Sequence, residues 1–176
     1  MSLRCYTAGA MTGLTGEELV ERSLHVGQVL SDNKMEMLDP VDCEGVKPTT
    51  ETVQASHTDL AVFWRRDKEL IRRAHVIFDI TPEKKSEGVA HEIGYARYHL
   101  WKPVIRVYMN GGMPTKASVA YFEDDLLTGS LEEACQVALE LWGTPWKRLK
   151  WRVALYNKCL LKAISYKLKE WINAVN

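Results

Sequence analysis

Apolar residues along the chain fall into two rhythms that take turns. Short runs rich in β-branched and aromatic residues predict buried strands, and longer stretches with apolar residues three and four apart predict amphipathic helices. Leu3 to Ala8 is the first expected strand, running into a loop from Gly9 to Gly13 whose glycines let backbone approach a ligand closely. Thr15-Gly-Glu-Glu18 has the form of a capping box, so a helix is expected from about Thr15 to Leu30, broken by Asn33 and Lys34. Met35 to Leu38 predicts a second strand, ended by Asp39-Pro40. The stretch from Val41 to Thr58, rich in Thr, Ser, Glu and Pro, reads as a loop over a site, and a helix from about Asp59 to Arg73 follows it. His75 to Ile80 predicts a strand, as does Val104 to Tyr108, and Val119 to Phe122 is the candidate fifth. Ser130-Leu-Glu-Glu133 is a second capping box, opening a helix to about Trp142. Strands alternating with helices imply an open parallel five-stranded α/β sheet with helices on both faces, a Rossmann-like or flavodoxin-like sandwich that binds ligands at the carboxyl ends of its strands.

The helix after the His75 strand carries the most chemistry. It opens at Ser86-Glu-Gly88-Val89-Ala-His-Glu92-Ile93-Gly94-Tyr95-Ala96, where unpaired helix-start N–H groups and the Ser86 hydroxyl suit a phosphate. Val89, Ile93, Ala96 and Leu100 make the apolar stripe, and Glu92 falls beside it, where desolvation raises a carboxyl pKa. A Glu in this position also complements the helix dipole, and spacing alone does not separate the two roles. The Gly9 loop and the Ser86 loop both follow strands, so one small ligand can touch both. Neither a G-x-G-x-x-G pattern nor a Walker A sequence is present, and the five histidines and four cysteines have no metal-ligand spacing, so no cofactor and no metal are expected.

These residues resemble the nucleoside 2-deoxyribosyltransferase superfamily, whose helix signature is roughly small/polar-x-Gly-x-x-x-Glu-[Leu/Ile]-Gly-x-Ala. Within it, Ser86-x-Gly88-Val89-x-x-Glu92 is similar to the branch that hydrolyses the N-glycosidic bond of nucleoside 5′-monophosphates. Transferases acting on free nucleosides usually carry an acid where Ser86 stands, and an acid would repel a phosphate. Cys5-Tyr6-Thr-Ala-Gly9-Ala10-Met11-Thr12-Gly13 resembles the N-terminal strand and phosphate-side loop, and Trp64-Arg-Arg-Asp67-x-x-x-Ile71-x-x-Ala74-His75 resembles the central helix. Lys102-Pro103-Val-Ile105 matches the next strand, and His75 stands where the family usually has Asp. The similarity covers about residues 3 to 110. It implies Glu92 as nucleophile at C1′, Asp67 as the acid that protonates the departing base, and Tyr6 as a hydrogen-bond partner that orients Glu92. It implies substrate and phosphate contacts from Gly9, Ala10, Met11, Thr12, Gly13, Ser86 and Gly88, and a homodimer or higher homo-oligomer. A base-exchanging nucleoside 2-deoxyribosyltransferase would use the same nucleophile, and a non-catalytic nucleotide-binding protein could keep the fold. Tyr6, Asp67 and Glu92 standing together argue against the latter.

From the residues alone, each of these positions also has a plain role. Arg65, Arg66, Lys68 and Arg72 could make Asp67 one member of a solvated charged face, and Tyr6 could simply pack in its strand. His91 points about 100° away from Glu92 on a helix and reads as a surface residue. Lys84-Lys85 either draws a phosphate or faces water, and Phe63 and Trp64 either stack a base or fill core.

Charge changes the picture at the end of the chain. The net charge is zero, but residues 1 to 143 hold 15 Lys/Arg against 22 Asp/Glu, and residues 144 to 176 hold 8 against 1. We therefore divide the chain into an α/β domain over 1–143 and a basic tail over 144–176. In the tail, Trp146, Leu149, Val153, Tyr156, Leu160, Ile164, Leu168 and Trp171 recur at three- and four-residue steps, which predicts a basic amphipathic helix or helix pair. Packing on the acidic body, in the same or a neighbouring subunit, is the first expectation, and contact with nucleic acid or an anionic membrane surface is the alternative. No apolar run reaches the roughly 20 residues of a membrane span, Met1-Ser-Leu-Arg is unlike a signal peptide, and Cys5, Cys43, Cys135 and Cys159 are scattered. A cytoplasmic protein with reduced thiols is expected.

Overall fold

The computed structural model describes residues 2–44, 47–51, 57–81, 86–108, 126–154 and 156–157. Its elements are β1 (Leu3–Ala8), α1 (Gly16–Asp32), β2 (Met35–Leu38), α2 (Pro40–Glu44), α3 (His57–Arg73), β3 (Val76–Asp79) and α4 (Glu87–Gly94). A π turn (Tyr95–His99), β4 (Val104–Val107), β5 (Leu126–Thr128), α5 (Leu131–Trp142) and a helix over 145–154, here α6, complete it. All five strands are parallel, in the order β2-β1-β3-β4-β5. This is the open, doubly covered sheet that the alternation implied.

Alternating side chains of the strands feed two cores. Leu3 and Cys5, Val76 and Phe78, and Ile105 and Val107 face α1 and α5, where Val26, Leu30, Ala134, Cys135, Ala138 and Trp142 meet them. Tyr6 and Ala8, Ile77 and Val104 face the other way, onto Leu70 and Ile71 of α3 and Val89 and Ile93 of α4. Each large apolar side chain so buried contributes about 1.5–3 kcal/mol. Cys5 and Cys135 are free thiols whose pKa burial raises, and Cys43 and Cys159 lie outside the described side chains.

Capping chemistry sets the helix starts. Thr15 and Glu18 exchange both bonds of the capping box, at 2.8 and 3.2 Å. The next two amides of α1 are satisfied from outside, Gly16 N donating to Glu51 O and Glu17 N to Thr49 O. A side chain at Gly16 would meet Lys47 O at 2.1 Å, so only glycine admits this crossing. Ser130 accepts from Glu133 N, while Glu133 reaches back to Gly129 N, one residue before the cap.

Four expectations shift. Residues 40–44 are helical where a loop was expected: Asp39 Oδ1 accepts from Val41 N at 3.0 Å, so Asp39 caps and Pro40 occupies the first helical position, where its missing N–H costs nothing. Helix α3 starts at His57, two residues early. Strand β5 is Leu126–Thr128, and the proposed strand at Val119–Phe122 lies outside the described residues. The helix carrying Glu92 widens into the π turn after Gly94.

Candidate active site

The connection after β1 runs to β2 on one side, and the connection after β3 runs to β4 on the other. In open α/β sheets the crevice at such a switch point, beyond the carboxyl ends of the strands, is where ligands bind. The loops after β1 and β3 border it and are tied together: Ile80 N donates to Ala8 O at 2.9 Å, and Ala10 N donates to Thr81 Oγ1 at 2.8 Å. Arg22 supports the first loop from α1, its Nη1 donating to Ala10 O at 2.9 Å. Both backbone groups of Ala10 are therefore engaged within the protein. Met11 O accepts from Leu14 N, and Thr12 and Gly13 stand exposed, Gly13 with φ of +88°, where a side chain would be strained.

Three elements carry the expected catalytic side chains into the second core. Tyr6 sits on β1 between α3 and α4, fully buried. Asp67 lies one turn before Leu70 and Ile71 and is only 7 % exposed. Its neighbours Arg65, Arg66 and Glu69 are exposed, so Asp67 is turned inward from the charged face that sequence alone allowed. Burial raises its pKa to about 6, and the Tyr6 hydroxyl presented to its carboxylate offsets part of that rise. The Tyr6 hydroxyl, assigned to Glu92 by the sequence reading, thus also faces Asp67. Glu92 is 9 % exposed, flanked by the buried Val89 and Ile93 that press α4 onto the sheet.

Ser86 caps α4, its Oγ accepting from Val89 N at 3.4 Å, which leaves the hydroxyl hydrogen for another acceptor. The amides of Glu87 and Gly88 open the helix without an intrahelical acceptor. Gly88 is exposed, and a side chain there would meet only Ser86 Oγ, at 3.8 Å. An anion at this turn would find backbone donors and one hydroxyl. Lys84 and Lys85 lie outside the described residues. His91 is exposed as expected and packs on Trp64, which also meets Tyr95 edge-on at 5.7 Å. Trp64 therefore belongs to the α3–α4 contact, and Phe63, one turn before Asp67, is half-buried.

Sequence reasoning missed a second polar layer. Asp79 and Arg106, paired at matching register on β3 and β4, form a buried ion pair at 2.6 Å, and Asp79 Oδ1 accepts from Thr81 N at 3.2 Å. The chain Arg106–Asp79–Thr81–Ala10 thus fixes the first loop from the far side of the crevice. Single charges inside the runs His75 to Ile80 and Val104 to Tyr108 were its signal. Among the described residues no group of His, Cys, Asp and Glu could hold a metal ion.

No family model matches the chain, and no curated protein matches it. Its fold is similar to that of a 2-deoxyribosyltransferase from the psychrotolerant bacterium Bacillus psychrosaccharolyticus, with a TM-score of 0.55 and 20 % identity over 74 % of this chain and 89 % of that one. It is also similar to a conserved protein from Enterococcus faecalis V583, with a TM-score of 0.52 and 17 % identity over 77 % and 96 % of the two chains. What they share with this chain is the fold.

Proposed function

We propose that this chain is an enzyme that hydrolyses the N-glycosidic bond of (deoxy)nucleoside 5′-monophosphates, giving free base and (deoxy)ribose 5-phosphate. The observation that carries the reading is a pair of buried carboxyls, Asp67 and Glu92, delivered by separate helices to one side of the sheet, with Asp67 held at about 6. A carboxyl at that value stays protonated often enough near neutrality to act as an acid, while its neighbour acts as a nucleophile. Glu92 attacks C1′ as the C1′–N bond breaks, and Asp67 gives its proton to the departing base. Water, deprotonated by the Asp67 carboxylate, then attacks C1′ of the Glu92 ester and releases the sugar phosphate, so the enzyme returns unchanged. The 5′-phosphate is assigned to Ser86, the first turn of α4 with Gly88, and the loop Gly9 to Gly13, with Ala10 serving by shape because its backbone is engaged.

One observation favours a second reading, base exchange by a nucleoside deoxyribosyltransferase: the fold is similar to an enzyme so named. A panel of nucleosides and their 5′-monophosphates, each with and without an acceptor base, separates the two by chromatography of base, sugar phosphate and new nucleoside. Hydrolysis of monophosphates regardless of acceptor is expected. Exchange product formed in preference to free sugar would move the transferase reading ahead. Glu92→Gln should abolish either activity with the fold intact, and substantial turnover by that variant removes Glu92 from the nucleophile role. We take the working unit to be a homodimer or larger, to be read by sedimentation.

A further inference from the structure

Helix α6 meets the domain through the side that carries Trp151 and Arg148. Trp151 packs edge-on against Trp142, with centroids 5.8 Å apart and planes at 89°, and joins the core beneath α1 and α5. Arg148 Nη1 donates to the Trp142 carbonyl at 3.0 Å. At 100° per residue, Trp146, Leu149 and Val153 lie about 140° to 160° around the helix from Trp151. They face water accordingly, Trp146 at 74 % and Leu149 and Val153 at 52 % exposure. Within this chain Trp146, Leu149 and Val153 are thus turned away from the body, while Tyr156, further along the same stripe, meets Trp101 with centroids 6.4 Å apart.

The flanks of this stripe are cationic. Lys150 borders one edge and Arg152 the other, both exposed. Behind Arg152 stand Arg148, Arg4 and Lys102, close enough that their charges, after burial, hold His75 down to about 4. Among the described residues none of these cations has a carboxylate within ion-pair distance. Among the described residues, positive charge is therefore gathered without an ion-pair partner beside an apolar stripe, in a segment with 8 Lys/Arg against 1 acid, on a body of opposite sign.

A second copy offering its own α6 would set like charges against those flanks, one offering its acidic body is the dimer outcome of the test below, and a nucleic acid would match the cations but leave Leu149 and Val153 in water. A bilayer containing anionic lipid satisfies both, offering its acyl boundary to the stripe and headgroup phosphates to the cations. We propose that the outer face of α6 docks on an anionic lipid surface, with Trp146, Leu149 and Val153 entering the headgroup–acyl boundary and Lys150 and Arg152 meeting the phosphates. The acidic body is repelled by such a surface, which orients the domain outward. This docking is independent of the reaction proposed above.

The test is sedimentation of the full-length chain with vesicles of phosphatidylcholine alone and with about one-third phosphatidylserine, at low and high salt. We expect binding to the anionic vesicles only, weakened steeply by salt. The combined variant Trp146→Ser, Leu149→Ser, Val153→Ser should lose it, and Lys150→Glu with Arg152→Glu should lower it at least about tenfold, since each cation near the surface contributes about fivefold. All five positions are exposed or flank the contact with the body, and matched thermal melts verify both variants. Failure of the parent chain to sediment at low salt overturns the proposal, as does equal binding by the serine variant. So does a dimer that the serine variant loses while neither protein binds vesicles, which would assign the stripe to a second copy.

Discussion

Asp67→Asn tests whether the acid is held at an energetic cost to the fold. The carboxyl titrates at about 6 in place of 3.8 because it is buried. Below about pH 4 it is neutral in both folded and unfolded chains, and burial carries no electrostatic penalty. Between these values the unfolded chain has released its proton and the folded one has not, so stability falls as pH rises. Above 6 the loss is complete, about 3 kcal/mol at 1.36 kcal/mol per tenfold. Asparagine keeps the shape and cannot ionise. We therefore expect the variant to be the more stable protein at pH 7.5 by about 1–3 kcal/mol, or roughly 3–10 °C in Tm for a chain of this length, and level with the parent near pH 4. His75, held down to about 4 by burial first and by four nearby cations second, pulls stability the opposite way across pH 4 to 6.5, but both proteins share it and it drops out of the difference. Melts of both proteins by circular dichroism between pH 4 and 8 supply the measurement. Activity should move in the other direction, falling about 10²–10⁴-fold on natural nucleotides and less where the leaving group needs no proton. A variant less stable than its parent at pH 7.5, or one whose advantage is equal at both ends of the range, refutes the reasoning.

Three further outcomes are expected. Ser86→Asp places a negative charge at the α4 start and should cut catalytic efficiency on monophosphates by far more than on the matching nucleosides; an unchanged ratio in side-by-side kinetics removes the phosphate from this turn. Lys102, 6 % exposed, donates its ammonium to the carbonyls of Arg72 and Ala74 where α3 ends, so Lys102→Met should destabilise by about 2–3 kcal/mol in denaturant titration. Lys34 holds φ of 57° just past the end of α1 and is exposed, so Lys34→Gly should raise stability by about 0.5–1 kcal/mol in the same assay.

Signals that are local in the chain carried through to the structure. Thr15 with Glu18 and Ser86 with Val89 are decided within four residues, and the β1 and β3 cores are decided by runs of apolar side chains, so these two helix starts and these two strands were legible. The inward turn of Asp67 is a matter of burial, which leaves no mark in its own spacing. What depends on pairing was not legible. Leu126 to Thr128 is too short to show a period and is a strand only because Ile105 to Val107 lie beside it. Asp79 and Arg106 each looked like an interruption of an apolar run until the register set them opposite each other. Pro40 was read as ending a strand when, with Asp39 before it, it also begins a helix. In α6 the period was right, but spacing identifies only an apolar stripe, and it is Trp151 and Arg148, off that stripe, that touch the body of the same chain.

The place of β1 in the sheet has a consequence for how the chain is made. It is made before the other four strands of its sheet and yet sits inside it, with β2 on one side and β3 on the other. At about 5–20 residues per second, synthesis takes roughly 4–15 s to go from β1 to the end of β3. Throughout that interval the β3 side of β1 has an open row of backbone donors and acceptors beside side chains as apolar as Leu3 and Cys5, the kind of edge that templates pairing between chains. The nascent chain is therefore at greatest risk of aggregation between the completion of β2 and the arrival of β3. Slowing translation through the α3 coding region should lower the soluble yield, and a holdase supplied during synthesis should restore it.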